Sequence, residues 1–197
     1  MIRIWDYTCR VSDDCYYVNL AIGLVIFKLY LADICQKLNF NFINLEEPLN
    51  WNVYLSGEIH TNWRDEIYKQ TKDLGLEINF SGPVTNHEAS DDCGVNILGK
   101  EELKFWHDHK GAKLNAIRTR KAIQNSDIVV VKFGEKYRQW NAAFDAGYAS
   151  ALGKSLIIIH SGEHPHALKE VDAAALAVVE DAQKVVEIFR YVMEGKL

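Results

Sequence analysis

The stretch GEKYRQWNAAFDAGYASALGKSLIIIH, Gly134 to His160, decides the fold. It reads as a loop, a helix, a second loop and a buried strand. Asn141 is the expected N-cap, which places Asp145 in the first turn of the helix. Phe144, Tyr148 and Leu152 recur every four residues and are expected to form one face packed on a sheet. Gly147 removes a side chain where helix and strand could approach closely. Gly153 can stop the helix, and Ser155–His160 then runs as a nearly continuous apolar strand of the parallel type. A carboxylate at a helix N-terminus, on the loop side of such a sheet, is expected to be ionised and aimed at a cleft.

Working outward, the same alternation continues on both sides. Val53–Leu55 reads as a strand, Trp63–Leu74 as a helix with Ile67, Thr71 and Leu74 on one side, and Leu76–Phe80 as a second strand. Ser81–Gly94 (SGPVTNHEASDDCG) reads as a polar loop. Residues 95–112 are ambiguous, with Gly99 and Gly111 as breaks, before a helix over Leu114–Asn125 and a central strand over Asp127–Phe133. Ala177–Val179 is a short strand, and Asp181–Gly195 closes the chain as an amphipathic helix. This order predicts an α/β fold, a doubly wound parallel sheet of about five strands flanked by helices, with right-handed crossovers. Ligands bind beyond the carboxyl ends of such strands. The loops leaving those ends, 56–63, 81–94, 133–141 and 160–166, hold most of the polar clusters.

Composition narrows the class. With 197 residues, 25% charged and 48% hydrophobic, the chain suits one domain with a full core and possible appendage. A net charge of −5 provides no basic excess for a nucleic-acid polymer, although a small nucleotide needs only a local donor loop. Cys9, Cys15, Cys35 and Cys93 lack CxxC spacing, so reduced thiols in a cytosolic protein are preferred to zinc or disulfides.

Residues 1–50 differ from residues 51–197. Val18–Ile34 is apolar but interrupted by Asn19, Lys28 and Asp33, and Asp6, Asp13 and Asp14 spoil a secretory signal. A packed or partly disordered helical extension is the preferred reading, a membrane-associated segment the second, and translation starting near Trp51 a third.

Individual residues have plain readings beside functional ones. Asp145 could merely complement the helix dipole, worth about 0.3–1 kcal/mol. Alternatively it could attack a sugar anomeric carbon, where a carboxylate stabilises oxocarbenium-like charge or forms a glycosyl ester. By position alone the dipole role is preferred. Ser56–Trp63 (SGEIHTNW) leaves a strand for a helix, so its N–H groups could cradle a phosphate or sugar hydroxyl. His60 is a ligand contact or an exposed filler, and Arg64 calls for an anion or carboxylate partner. His87, Glu88, Asp91 and Asp92 lack zinc spacing, so sugar or base contact is preferred to metal. Asp127 opens its strand at the wrong edge and reads as a structural cap. His160, His164 and His166 read as solvated or oligomer-contact residues.

VYLSGEIHTNWR, GPVTNHEASDD, SDIVVVKFGEKYRQWNAAFDAGYASALGK and HPHALKE together resemble the YtoQ branch of the nucleoside 2-deoxyribosyltransferase-like proteins, from about Asn52 to the C-terminus. The resemblance implies a flavodoxin-like sheet, a homo-oligomer of two or more copies, a cytoplasmic setting, no cofactor, and a small nucleoside or nucleotide as partner. It implies cleavage or transfer of an N-glycosidic bond, with the family's nucleophilic glutamate falling on Asp145. That reverses the preference for the dipole role. Ser56, Gly57, Glu58, His60 and Trp63 would then hold sugar or phosphate, Asn86, His87 and Asp91 would line the pocket, and Gln139, Trp140 and Asn141 would position sugar and base. Two departures stand out. Asp is one methylene shorter than Glu, and the family's aspartate six residues earlier is Gln139, which cannot serve as a general acid. The alternative is a nucleotide-binding or sensing module without turnover.

Overall fold

Five short runs of β-branched and apolar residues pair in parallel as one sheet of order β2-β1-β3-β4-β5. They are β1 (Trp51–Gly57), β2 (Ile78–Ser81), β3 (Ile128–Lys132), β4 (Ser155–Ile159) and β5 (Ala177–Val179). This is the flavodoxin-type order, in which the direction of winding reverses between β1 and β3. The computed structural model describes residues 50–197 except 136–138 and 163–165, and the backbone alone of His87. Residues 1–49, with Val18–Ile34 and Cys9, Cys15 and Cys35, lie outside the described residues, as do His164 and Pro165. Among the described residues no helix is long and apolar enough to cross a membrane.

The helices cover both faces because the strands send alternate side chains each way. Val53, Leu55, Ile128, Val130, Ile157 and Ile159 meet α1 (Trp63–Asp73) and the final helix α6 (Ala182–Glu194) through Ile67, Val185, Val186 and Phe189. Tyr54, Val129, Val131, Leu156 and Ile158 meet α3 (Lys104–Asn125) and α4 (Trp140–Ala151) through Ile123, Ala142, Ala146 and Ala149. The remaining helices are α2 (His87–Leu98) and the short α5 (Lys169–Ala174). Asp181 caps α6 by accepting from the Lys184 N–H at 2.9 Å, and Gly195 ends it in the left-handed conformation.

Several expectations need correction. Ser81–Gly94 is not a loop throughout: α2 starts at His87, with Asn86 as its N-cap. Gly111 does not break α3 but lies inside it. A Cβ on Gly94 would stand 2.3 Å from the Gly111 nitrogen, so the two glycines let α2 and α3 touch backbone to backbone. Gly111 therefore has a reason to be in a helix that propensity alone cannot reveal.

The opening helix also differs. α4 begins at Trp140 with Gln139 at the cap position, so Asn141 is inside the helix and Asp145 lies in its second turn. The macrodipole acts within the first turn and lends Asp145 little. The packed face is alanine, not Phe144 and Leu152, which are 61% and 41% exposed. Small side chains let α4 lie close to the sheet, and the larger ones turn outward. Gly147 is exposed with open space where its Cβ would be, so it mediates no close approach. Leu74 is likewise exposed and caps α1.

Candidate functional site

The winding reversal sends the chain leaving β1 and the chain leaving β3 to opposite faces of the sheet, and α4 lies across the paired strand ends. Ser56, with the same strand parity as Tyr54, faces α4 from the end of β1. Its hydroxyl, buried at 2% exposure, donates to Asp145 Oδ2 at 2.5 Å. Burial pushes the Asp145 carboxyl above its ordinary value, and the Ser56 hydrogen bond partly opposes that. The carboxyl is thus held near the carboxyl edge of the sheet with its charge disfavoured by burial, rather than as a dipole-stabilised anion.

Immediately after Ser56 the chain turns sharply. Gly57 has φ +94°, and a Cβ there would stand 2.1 Å from the Lys132 carbonyl oxygen, so only glycine fits between the ends of β1 and β3. The Glu58 N–H donates to that carbonyl at 2.9 Å. The Glu58 side chain, 6% exposed, curls back on its own loop. It accepts from the His60 N–H, from the Thr61 hydroxyl, and from the Thr61 N–H at 3.2 Å. Burial opposes ionisation of Glu58, but the Thr61 hydroxyl, both N–H groups and the Lys132 charge outweigh it and hold the carboxyl below its usual range.

Arg64 anchors this loop from beneath. Its guanidinium donates to the carbonyls of Leu55 at 3.1 Å, Glu58 at 2.6 Å and Gly57 at 3.2 Å. The expected anion or carboxylate partner is therefore replaced by three backbone carbonyls. Trp63 is 1% exposed, and its indole N–H donates to the Glu58 carbonyl at 2.8 Å. Its ring belongs to the core beneath the loop, not to an open cleft surface.

On the neighbouring loop, Gln139 Oε1 accepts from the Gly134 N–H at 2.9 Å. The Glu58 stem lies against Gly134 on the other side, where an added Cβ would be 2.5 Å from Glu58 Cγ. Glu58, Gly134 and Gln139 therefore join the loops after β1 and β3. Trp140 is 74% exposed, and Asn141 is exposed beside it. Asn86 spends its side chain on capping α2, accepting from the Ala89 N–H at 2.8 Å. His87 opens the helix, and Asp91 is exposed on it. His60 is exposed. The structure thus brings Ser56 to Asp145 and Glu58 to Gln139, and places Asn86 and Asp91 on α2.

Two residues escaped the sequence reading. Tyr54 is buried two positions before Ser56 on the same strand face, and its hydroxyl donates to Thr119 Oγ1 at 3.4 Å. Burial raises its pKa, the Thr119 bond lowers it, and the negative charge of Asp145 raises it further, which places Tyr54 within the field of that carboxylate. Strand parity with Ser56 was the available signal. Lys132 ends β3, with Nζ donating to Thr61 Oγ1 at 3.5 Å. His160, expected to be solvated, is buried, with Nε2 3.1 Å from Asp172 Oδ1, because the end of β4 lies beneath α5. Asp127 does act as a cap at the opposite edge, accepting from the Asn52 N–H at 2.9 Å.

Fold and site together define a flavodoxin-type α/β domain with a partly buried carboxylate, Asp145, above its switch point. Residues 54–193 match the family described as Nucleoside 2-deoxyribosyltransferase YtoQ, and the chain belongs to that family. It is 44% identical over 142 residues to the uncharacterized protein YtoQ of Bacillus subtilis (strain 168), covering 72% of this chain and 96% of that one. Among solved structures it is similar to a conserved protein from Enterococcus faecalis V583, with TM-score 0.51, 14% identity, and coverage of 72% of this chain and 98% of that one. A 2-deoxyribosyltransferase from Bacillus psychrosaccharolyticus aligns with TM-score 0.44 and 20% identity, over 68% of this chain and 90% of that one.

Proposed function

We propose that this protein cleaves or transfers the N-glycosidic bond of a nucleoside or nucleotide, with Asp145 as the nucleophile. The observation that carries the reading is the Ser56–Asp145 hydrogen bond at the winding reversal, in a chain of this family. Ser56 holds Oδ2, and Oδ1 attacks the anomeric carbon as its bond to the base nitrogen breaks. The base leaves with the bonding electrons and takes a proton from solvent, since Gln139 has none to give. Water or a second nucleobase then attacks the same carbon and releases Asp145, so no cofactor is needed. Tyr54 and Ser56 shape the carboxylate's surroundings, while the loops after β1 and β3, with His60, Gln139, Trp140 and Asn141, border the sugar and base. Asn86, His87 and Asp91 border the same pocket in this reading, from the start of α2.

We place the protein in the cytoplasm as a homo-oligomer. The outward Trp140 and Phe144 on α4 support self-association, because a helix apolar on both faces is ordinarily covered. Residues 1–50 form an extension outside the catalytic domain in this reading, consistent with a family match that begins at residue 54.

The test incubates purified protein with deoxynucleosides and their 5′-monophosphates and measures free base by chromatography. Base release that is lost in Asp145→Ala is the expected result; release unchanged in that variant removes the mechanism. A second reading, binding without turnover, is favoured by Gln139, whose carboxamide oxygen is committed to Gly134. Calorimetric binding without base release would select it.

A further inference from the structure

We propose that Glu58 makes the site select an unphosphorylated nucleoside, by filling with its own carboxylate the backbone cradle that a 5′-phosphate would require. The inference deepens the proposed function and rests on its placing substrate beside Asp145. A loop that leaves a strand and enters a helix presents N–H groups to an anion. Here those groups, on His60 and Thr61, already donate to Glu58 together with the Thr61 hydroxyl. The carboxylate is 6% exposed, so it is built into the loop rather than resting on it.

The neighbouring cations are committed as well. All three nitrogens of the Arg64 guanidinium donate to carbonyls of Leu55, Gly57 and Glu58. Lys132 Nζ donates to Thr61 Oγ1, where its charge is set against Glu58. A phosphate arriving at this loop would have to displace a carboxylate and then sit beside it, with like charges opposed in a partly dry site. A sugar hydroxyl meets no such penalty and can donate a hydrogen bond to the anion instead. Glu58 is therefore a specificity-determining element that acts by repulsion against the competing ligand.

The experiment titrates the full-length protein by calorimetry with inorganic phosphate, a deoxynucleoside and the matching 5′-monophosphate, and repeats the series on Glu58→Gln. The wild type is expected to bind the nucleoside at least about tenfold more tightly than the monophosphate and to show no phosphate binding in the millimolar range. Glu58→Gln keeps the shape and one acceptor oxygen while removing the charge, and is expected to narrow that ratio by about tenfold. A wild type that binds the monophosphate as tightly as the nucleoside overturns the proposal, as does a folded Glu58→Gln with an unchanged ratio. If the variant does not fold, the wild-type ratio decides alone. Base release is followed in the same samples. Nucleoside preference without release sinks the catalytic reading and leaves this one standing, whereas release with monophosphate preference does the reverse. Binding of none of the three overturns both.

Discussion

Asp145 and Glu58 are two carboxylates withdrawn from water at the same edge of one sheet, and their surroundings push them in opposite directions. Glu58 collects three donors from its own loop and a nearby cation, so it stays ionised below the usual carboxylate range. Asp145 has the Ser56 hydroxyl among the described residues, and burial wins, raising its carboxyl. The difference teaches that burial and the supply of donors together set the charge of an acid. It also separates two tasks. A well-satisfied carboxylate holds a loop in place, and an under-satisfied one retains the reactivity that a nucleophile needs.

The largest expected effect breaks the comparison on its reactive side. Asp145→Asn keeps the volume and an acceptor for Ser56 but removes the proposed nucleophile. Base release should fall on the order of 10⁴-fold, the scale seen when one member of a catalytic unit is deleted. Steady-state rates on a deoxynucleoside check this. The next effect lies on the structural side. Glu58→Ala leaves the His60 and Thr61 N–H groups facing a gap where a carboxylate stood, which should cost about 2–3 kcal/mol. Urea unfolding measures it, with Glu58→Gln expected to lose less because its carbonyl still accepts.

How far the sequence could foresee this contrast depends on the period of the signal. Parallel strands announce themselves as continuous apolar runs, and the apolar run Ala177–Val179 coincides with β5. Asp145 is reachable because it shares a helix with recognisable family residues. Its true surroundings are not, because residue type alone favours Asn141 as the N-cap. In the fold, the chain enters α4 two residues earlier, at Gln139. Phe144 and Leu152 fit the helical period as well as Ala142, Ala146 and Ala149 do. Periodicity cannot say which of two apolar faces meets the sheet. The Glu58 cradle was invisible for another reason: SGEIHTNW displays an acid and a run of N–H donors, but that they satisfy one another is a matter of three-dimensional turn geometry. The same holds for Gly94 and Gly111, seventeen residues apart, which are meaningful only once α2 and α3 touch.

A smaller change sharpens the comparison by making Asp145 still less like Glu58. Ser56→Ala removes the hydroxyl that opposes burial, so the Asp145 carboxyl rises further. In the proposed mechanism the reactive form is the carboxylate, so the acid limb of kcat/KM is expected to move to higher pH. The rate at neutral pH should drop by about tenfold, the value of one charge-assisted hydrogen bond. A pH–rate profile displays both changes, and an unmoved acid limb would show that Asp145 is not the titrating group.

The smallest effect is one of sign, and it tests the contrast without any substrate. The folded pKa of Asp145 is raised, so the native state holds a proton that the unfolded chain would release. Its contribution to stability falls as pH climbs from the ordinary carboxylate value through the raised one. The folded pKa of Glu58 is lowered, so its contribution is present above the unfolded value and is lost as pH falls through the folded one. At neutral pH Asp145→Asn should gain stability, by about 1 kcal/mol as is common when a functional strain is relieved, while Glu58→Gln should lose it. As the solution is acidified the gain from Asp145→Asn and the loss from Glu58→Gln should both shrink, because each wild-type carboxyl then becomes neutral like its amide replacement. Urea midpoints for the three proteins across that range decide the matter: parallel shifts of the two variants would mean that the carboxylates occupy equivalent environments, whereas opposed shifts converging in acid require one acid starved of donors and one saturated with them.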